Sequence, residues 1–348
     1  MRVALIASPF IPVPPVEYGG TELFIADLAC GLQSLGVDVV VYTNGESTIA
    51  AEKRWLFAKS QWPIRPGDEL AQLKEIEHTT WAMQDAFASC DIVHLNSVLG
   101  LPCARFSPLP VVYTLHHATD TQRSAAYSRL AGVHYVCISH DQCNRENLPL
   151  LQTIHHGIDL AKYQLKSEKQ QYLSFIGRIA PIKGTHLAID IAKGADIPLK
   201  IAGEVQPTYR DYFEVKIKPQ IDGKFVEYVG RADLAAKNEL LGNSMAMLFP
   251  IKWDEPFGLV MVEAMACGTP VLALRAGSVP EVVKEGVSGH VSRRIDDLVK
   301  RARNLDFVPA NVRQYAELNF SKERMAREYR DLYTRILEQG EGRKQPVA

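Results

Sequence analysis

The chain has few of the features that assign a protein to a class at first sight. It holds only six cysteines (Cys30, Cys90, Cys103, Cys137, Cys143 and Cys267), none in a Cys-x-x-Cys pair, which excludes a disulfide scaffold and a zinc ribbon. They read as reduced thiols of a protein core. Neither sign of charge is in excess: 39 lysines and arginines against 40 aspartates and glutamates leave a formal net charge of -1. Such a balance gives no general attraction to nucleic acid or to an anionic membrane, and no basic stripe with interleaved aromatics offsets it. No apolar run approaches the ~18 residues needed to cross a bilayer. Arg2 followed by Val3-Ala4-Leu5-Ile6-Ala7 imitates a leader, yet Pro9, Pro12, Pro14 and Pro15 interrupt the apolar region and no small-x-small cleavage site comes after. A buried first strand is the better reading, and the expected location is the cytoplasm, where the protein could also lie against the inner membrane face.

The common nucleotide and hydrolase signatures are missing too. There is no Gly-x-Gly-x-x-Gly, no Walker sequence and no nucleophile elbow. No Asp-x-Asp triplet is present to hold a divalent ion beside a sugar nucleotide, so any charge on a bound phosphate must be met by arginine, lysine and helix dipoles.

What is present is a long alternation of strand and helix patterns. With 348 residues, 47% of them hydrophobic, the chain is long enough for two domains at ~100–200 residues each. Val3 to Ala7 predicts a strand, Thr21 to Leu35 a helix stopped by Gly36, and Val37 to Tyr42, Ile92 to Leu95, Val111 to Leu115 and Tyr135 to Ile138 further strands. Gln164 to Gln171 is the most polar stretch near the middle and predicts a linker. The alternation then restarts with strands at Tyr172 to Ile176, Leu199 to Ala202, Phe225 to Val229 and Ala246 to Phe249, and helices at His186 to Ala192 and Leu259 to Ala266. Strands alternating with helices predict parallel sheets, whose ligands sit beyond the carboxyl ends of the strands. That places a site in a cleft between the two halves. From Ser321 to Leu337, Met325, Tyr329, Leu332, Tyr333 and Ile336 recur at helical spacing on a charged background, a covering helix.

Three stretches could carry chemistry. In Glu255-Pro256-Phe257-Gly258-Leu259-Val260-Met261-Val262-Glu263, Pro256 and Gly258 make a loop and a helix begins near Gly258. Its free N–H groups suit an anionic or hydroxyl-rich ligand, and Glu263 could accept bonds from two vicinal hydroxyls. On spacing alone, Glu263 is equally a solvated helix residue and Glu255 a charge favoured by the helix dipole. Gly177-Arg178-Ile179-Ala180-Pro181-Ile182-Lys183-Gly184 puts two cations around a turn at a strand end, suited to a diphosphate but also common in solvated loops. Glu17-Tyr18-Gly19-Gly20-Thr21-Glu22 joins the first strand to the first helix, and its glycines permit close backbone approach. The histidine pairs His116-His117 and His155-His156 cannot chelate alone, because adjacent strand residues face opposite ways. His116 fits either a ligand contact or a neutral loop histidine. Trp55, Trp62 and Trp81 could stack on a sugar, although core packing of at least two is expected.

Taken in order, these elements resemble the retaining nucleotide-sugar glycosyltransferases of family 4, the glycosyl transferases group 1, over nearly the whole chain. The match runs through Gly19-Gly20, Thr114-Leu115-His116, Gly157-Ile158-Asp159, Gly177-Arg178 with Lys183-Gly184, Ala202-Gly203-Glu204, the Glu255 and Glu263 pair, and Gly277-Ser278-Val279-Pro280-Glu281. The resemblance implies an α/β GT-B fold: two Rossmann-like doubly wound domains facing across a cleft. Residues 1–165 would form the acceptor side, with a return helix at 321–337 crossing back to them, and residues 166–320 the donor side. It implies a metal-independent transfer of a hexosyl group from a nucleotide diphosphate sugar, uridine being the commonest base in the family, with no cofactor. The acceptor could be a saccharide, a lipid-linked molecule or a small molecule.

By the same resemblance His116, Glu255, Arg178 and Lys183 are the catalytic group. Gly19, Gly20, Arg178, Lys183, Glu204, Phe257, Gly258, Leu259 and Glu263 would bind the donor, Glu263 at the ribose, Glu255 at a sugar hydroxyl and the two cations at the diphosphate. Two departures stand out: His155-His156-Gly157 replaces the family's Pro-Asn-Gly, and Gly277-Ser278 replaces Gly-Gly. Neither falls on an expected charge contact. The competing readings are a GT-B epimerase or phosphorylase, and a non-catalytic protein that keeps the nucleotide site.

Overall fold

The computed structural model describes residues 1–16, 19–64 and 67–341, with the side chains of Gly340 and Glu341 excepted; Glu17 and Tyr18 of the glycine loop lie outside the described residues. The chain divides into two compact units, Met1–Gly157 joined by the chain from Lys322 onward, and Ile158–Ser321.

The first unit is a seven-stranded parallel sheet: β1 (Arg2–Ile6), β2 (Asp38–Thr43), β3 (Glu52–Trp55), β4 (Ile92–Leu95), β5 (Val111–Thr114), β6 (Val133–Cys137) and β7 (Leu151–Thr153), in the order β3-β2-β1-β4-β5-β6-β7. Central strands are apolar on both faces, as helices on both sides demand: Val3, Ala4, Leu5 and Ile6 are all fully buried. The edge strand β3, Glu-Lys-Arg-Trp, has no apolar alternation and is not among the expected strands. Arg2 fastens it by reaching Asp38 at 2.7 Å and Glu52 at 2.6 Å. The helix Glu69–Ala86 is likewise unforeseen, because its buried stripe includes His78 and Thr79 beside Ala71, Ala82, Met83 and Ala86.

The last helix, Lys322–Glu341, belongs to this first unit. Met325, Tyr329, Leu332, Tyr333 and Ile336 join the same core as Phe24, Leu28 and Leu32 of the helix Gly20–Ser34. At Gly31 any side chain would strike Ala326 Cβ at 2.6 Å, so the two helices meet through a glycine. A chain of buried hydrogen bonds ties the helix to the sheet: Tyr333 Oη to His94 Nδ1 (2.7 Å), His94 Nε2 to Thr114 Oγ1 (2.8 Å) and Thr114 Oγ1 to Tyr329 Oη (2.8 Å).

The second unit is a six-stranded parallel sheet: β8 (Leu173–Ile176), β9 (Leu199–Ala202), β10 (Val226–Gly230), β11 (Ala246–Phe249), β12 (Val271–Leu274) and β13 (Gly289–Ser292), in the order β10-β9-β8-β11-β12-β13. Its core gathers Leu173, Phe175, Ile189, Leu199, Ile201 and Leu248. The polar stretch from Gln164 to Gln171 is bonded into this unit: the Gln164 N–H donates to Asn238 (2.8 Å), and Lys169 donates to the Gly242 carbonyl (2.8 Å) and the Thr269 hydroxyl (2.8 Å).

In both sheets the chain direction of strand addition reverses once, between β1 and β4 and between β8 and β11. Loops at the carboxyl ends of those strands diverge and leave a crevice, the usual place for a ligand in such sheets. Two expectations about side chains do not hold. Trp55 and Trp62 lie at the surface, 44% and 54% exposed, and only Trp81 packs inward, edge-on to Tyr42 at 5.8 Å. Cys30 is exposed, sitting on the outer side of its helix, whereas Cys90, Cys137 and Cys267 are buried. Among the described residues no helix is long and apolar enough to cross a membrane.

Candidate functional site

The second unit carries most of the expected site residues, on the loops that come after β8, β9 and β11. After β11 the chain turns through Glu255-Pro256-Phe257 into the helix Leu259–Ala266, whose N-cap is Gly258 at φ +82°, a left-handed geometry that glycine adopts freely. No side chain caps this helix, so its first N–H groups stay available. After β8 the loop ends at Gly184, φ +74°, which begins the helix Thr185–Ala195 without a side-chain cap of its own, although the His186 N–H donates to the Tyr212 hydroxyl at 3.2 Å. Gly184 could be no other residue: a Cβ there would lie 2.0 Å from the Pro250 carbonyl oxygen.

Glu255 is buried, and Lys183 donates to its Oε2 in a short ion pair while Trp253 Nε1 donates to the same oxygen at 2.9 Å. The Lys183 ammonium also lies over the Trp253 ring, 4.7 Å from its centroid, a cation–π contact. Thus the structure joins Lys183 and Glu255, which sequence reasoning assigned to different parts of a ligand. Arg178 stands apart from this pair. Its Nη1 donates to Gln206 at 3.4 Å, and its Nε is buried with no partner among the described residues. A buried guanidinium donor without an acceptor is costly unless an anion meets it. Glu204 accepts a short ion pair from Arg231, an exposed partner that was not foreseen.

Glu263 lies inside the helix and is almost wholly buried. Its carboxylate is held by Lys237, 2.9 Å to Oε1 and 3.1 Å to Oε2, and by the Tyr163 hydroxyl, 3.0 Å to Oε1. The solvated-residue alternative is therefore excluded for Glu263. Neither Lys237 nor Tyr163 was singled out in the sequence. They stand 26 and 100 residues away, and only the pattern of a glutamate inside an apolar helix hints that partners exist.

The departure at Gly277-Ser278 acquires a role here. Gly277 has φ +50°, and a Cβ on it would lie 2.5 Å from both the Glu255 nitrogen and the Glu255 oxygen. The Ser278 N–H donates to the Glu255 carbonyl (3.0 Å) and its hydroxyl to the Phe257 carbonyl (2.8 Å). Together they clamp the loop from Glu255 to Phe257.

In the first unit, Gly19 precedes the helix Gly20–Ser34, again with no side-chain cap. Its φ of 170° is ordinary extended backbone, but a side chain would meet Glu22 Oε2 at 2.8 Å and Pro15 Cβ at 2.9 Å. Burial holds the Glu22 carboxyl above its ordinary range. His116 comes directly after Leu115 at the end of β5; its Nε2 bonds to Asn96 Oδ1 at 2.9 Å, and its ring meets Phe24 edge-on at 4.8 Å and stacks on His156 at 5.6 Å. Burial, and after it the neighbouring His117, pushes the His116 pKa down to about 3. It is thus a neutral imidazole at physiological pH. The His155-His156-Gly157 turn also belongs here: the buried His156 backs His116, and the Gly157 N–H points to Met325 Sδ at 3.1 Å.

Comparison with known proteins adds to this geometry. The family model described as Glycosyl transferases group 1 matches residues 159–305, and that described as Glycosyltransferase Family 4 matches residues 18–162. Among curated proteins, a glycogen synthase of Mycobacterium tuberculosis is 25% identical, with 83% of this chain and 81% of that protein covered. The spore coat protein SA of Bacillus subtilis is 23% identical over 96% of this chain and 99% of its own length. Among solved structures, the sucrose-phosphate synthase of Thermosynechococcus elongatus superposes with a TM-score of 0.78 at 19% identity, covering 97% and 99% of the two chains. Alr3699/HepE of Anabaena, in complex with UDP and glucose, does so with 0.74 at 19% identity, covering 96% and 99%.

Proposed function

Because the chain belongs to the GT-B glycosyltransferases related to family 4 and works on a nucleotide-sugar donor, we propose that it transfers a hexosyl group from a UDP-sugar to an acceptor hydroxyl with retention of anomeric configuration and without a metal. The observation that carries this reading is the placing of two buried glutamates about one uncapped helix N-terminus. Glu255 sits in the loop before the helix and Glu263 one turn inside it, each carboxylate held by its own lysine.

In this reading the diphosphate lies against the N–H groups at Gly258-Leu259 and at the start of Thr185–Ala195, where helix dipoles favour negative charge. Arg178 meets it with the guanidinium N–H groups left over from Gln206, and Lys183 with N–H groups left over from Glu255. These charges do the work that a divalent ion does elsewhere: they stabilise the negative charge that grows as the sugar–phosphate bond breaks. Glu263 accepts from a ribose hydroxyl and Glu255 from a hydroxyl of the sugar, with the Phe257 to Leu259 backbone beside them. Glu204 completes the donor contacts of this unit. The acceptor attacks the anomeric carbon on the face the diphosphate leaves. The C–O bond to phosphate breaks as the new glycosidic bond forms, and the departing phosphate oxygen takes the acceptor's proton, so no separate base is required. The UDP preference is supported by the complex of the Anabaena relative with UDP and glucose.

Thermal denaturation with UDP, GDP, ADP and their sugar conjugates, with and without EDTA, tests the donor half. A ligand bound at one hundred times its Kd adds about 2.7 kcal/mol. The expected result is a rise with UDP and a UDP-sugar that survives chelation. Transfer should be lost in Glu255→Ala while UDP still raises the melting temperature. The anomeric coupling constant of the product, read by NMR, decides between retention and inversion. A rise seen only with added Mg²⁺ or Mn²⁺ would defeat the metal-free mechanism.

A further inference from the structure

The first unit reverses its strand order between β1 and β4, and beyond the carboxyl ends of those strands stand two glutamates. Ser8, two residues after β1, donates to Glu22 Oε1 at 3.4 Å, and Ser97, two residues after β4, donates to Glu75 Oε1 at 2.6 Å. Glu22 lies in the first turn of the helix Gly20–Ser34 and is buried; Glu75 is half-buried on the helix Glu69–Ala86. Burial raises both carboxyls above their ordinary range, and the charge of Glu75 adds its repulsion to Glu22.

Among the described residues no lysine or arginine bonds either carboxylate. The second unit treats its buried glutamates differently, giving Lys183 to Glu255 and Lys237 to Glu263. What the pair in the first unit lacks is a positive charge. A phosphate would worsen the balance, and the helix N-terminus that could attract one is already faced by the Glu22 carboxyl, which bonds its own backbone N–H. Among the described residues no third histidine, cysteine or carboxylate joins the two to enclose a metal ion.

A second observation falls on the same helix face. His78 stands one turn after Glu75, fully enclosed, its ring against the backbone of Ala7, the residue before Ser8. Neither ring nitrogen has a hydrogen-bond partner among the described residues, nor has the hydroxyl of the equally buried Thr79. Buried polar atoms left unmet are costly, which marks the face from Glu75 to Thr79 as one that a further group completes. Burial pushes the His78 pKa down to about 4, so the ring is neutral at pH 7 and sets no positive charge against a cation.

We propose that the crevice at the ends of β1 and β4 binds a protonated primary amine, its ammonium donating to Glu22 and Glu75 together, and that the acceptor is a hydroxylated molecule bearing such an amine. The site is a property of the first unit alone; the acceptor role rests on the proposed transfer reaction. An ammonium carries three donors, enough for one oxygen of each carboxylate and one further acceptor beside them. It also cancels the repulsion between the two carboxylates, which a neutral hydroxyl cannot do.

Titration calorimetry of the full chain with glucosamine, N-acetylglucosamine, glucose and CaCl2 tests the site. Glucosamine should bind, and the two neutral sugars should bind about tenfold or more weakly. Glu22→Gln and Glu75→Gln should each weaken glucosamine about tenfold and leave the neutral sugars unchanged. Equal binding of glucosamine and glucose, tighter binding of Ca²⁺ than of glucosamine, or glucosamine binding unmoved by the substitutions overturns the proposal. Circular dichroism checks that the variants fold; if Glu22→Gln does not, Glu75→Gln, whose side chain is half-buried, decides alone. The acceptor role is read from product formed by glucosamine and the UDP-sugar that raises the melting temperature, and binding of both without transfer overturns it. If no UDP-sugar raises the melting temperature, the donor reading fails instead, and the calorimetry still decides the amine site.

Discussion

Replacing Lys237 by methionine should destabilise the second unit far more than an ordinary surface lysine would. The Glu263 side chain is 3% exposed and that of Lys237 21%, so removal of the ammonium leaves a buried carboxylate with one hydroxyl donor, Tyr163, in place of a bridging cation. Breaking a buried pair from one side costs about 3–5 kcal/mol, whereas an exposed pair is worth ~0–1 kcal/mol. The partial exposure of Lys237 lets water reach the vacated place, which brings the expected loss to roughly 2–3 kcal/mol. In a unit of this size that lowers the melting temperature by roughly 5–10 °C. Methionine keeps the aliphatic stem, so lost packing contributes little. Calorimetry of the wild type, Lys237→Met, Glu263→Gln and the double variant closes a cycle. The double variant should melt above Lys237→Met, because a neutral amide does not need the cation. A loss below about 0.5 kcal/mol, or a double variant no better than Lys237→Met, would refute the claim that Lys237 neutralises Glu263 in a dry site.

The first unit should be acid-labile for a traceable reason. Burial depresses His78 to about 4 and His94 and His116 to about 3, so in the unfolded chain each binds a proton that the folded unit refuses. Their contribution is complete above the ordinary histidine value and is lost as pH falls from ~6.5 toward the folded values, at about 1.4 kcal/mol per pH unit for each histidine. Glu22 and Glu75, held upward by burial, act in the opposite sense, weakening the fold as pH rises through ~4.5. A melting temperature that is flat from pH 7 to pH 5 would contradict this account. Ser278→Ala removes the hydroxyl that bonds the Phe257 carbonyl, and should cost about 1–3 kcal/mol and lower kcat/KM for transfer; unchanged kinetics would show that the clamp on the Glu255 loop is dispensable. Gly203→Ala should prevent folding of the second unit, since its Cβ would stand 1.9 Å from the Gly177 carbonyl oxygen, while Gly19→Ala should fold, meeting mainly side-chain atoms. Circular dichroism and melting of both variants check the contrast.

The alternation of strands and helices was legible because buried parallel strands are continuous apolar runs, as in Val3-Ala4-Leu5-Ile6 and Ala246-Met247-Leu248-Phe249. The edge strand β3 was not, because Glu52 to Trp55 are held by ion pairs with Arg2 and Asp85 that cross 31 to 50 residues of chain. Core packing was expected for at least two of Trp55, Trp62 and Trp81, yet Trp55 and Trp62 belong to the outer strand and the loop after it and are exposed. That Glu255 and Glu263 lie about one helix N-terminus, and Arg178 and Lys183 about one turn, was legible because their spacing about glycines is local. What those groups bond to was not: Lys237 and Tyr163 reach Glu263, and Asn96 reaches His116, through the order of the strands.

The loops of the second unit interlock through backbone. Gly184 lies against the Pro250 carbonyl, Gly203 against the Gly177 carbonyl, and Gly277 against both polar atoms of the Glu255 peptide, so each loop around the Glu255 turn is set by a neighbour's main chain. Main chain cannot change identity by mutation, and a side chain at any of these glycines would force two loops to move together. The corresponding loop of the first unit is different: Gly19 meets Glu22, Pro15 and Ile11 through their side chains. Substitution can reshape that surface without disturbing the sheet beneath it. The loop after β2 in the first unit is nonetheless set by main chain as well, since a Cβ on Gly45 would lie 2.5 Å from the Ala58 carbonyl oxygen. The residues proposed to bind the donor are readable from short stretches because glycines at such backbone contacts punctuate the loops that hold them.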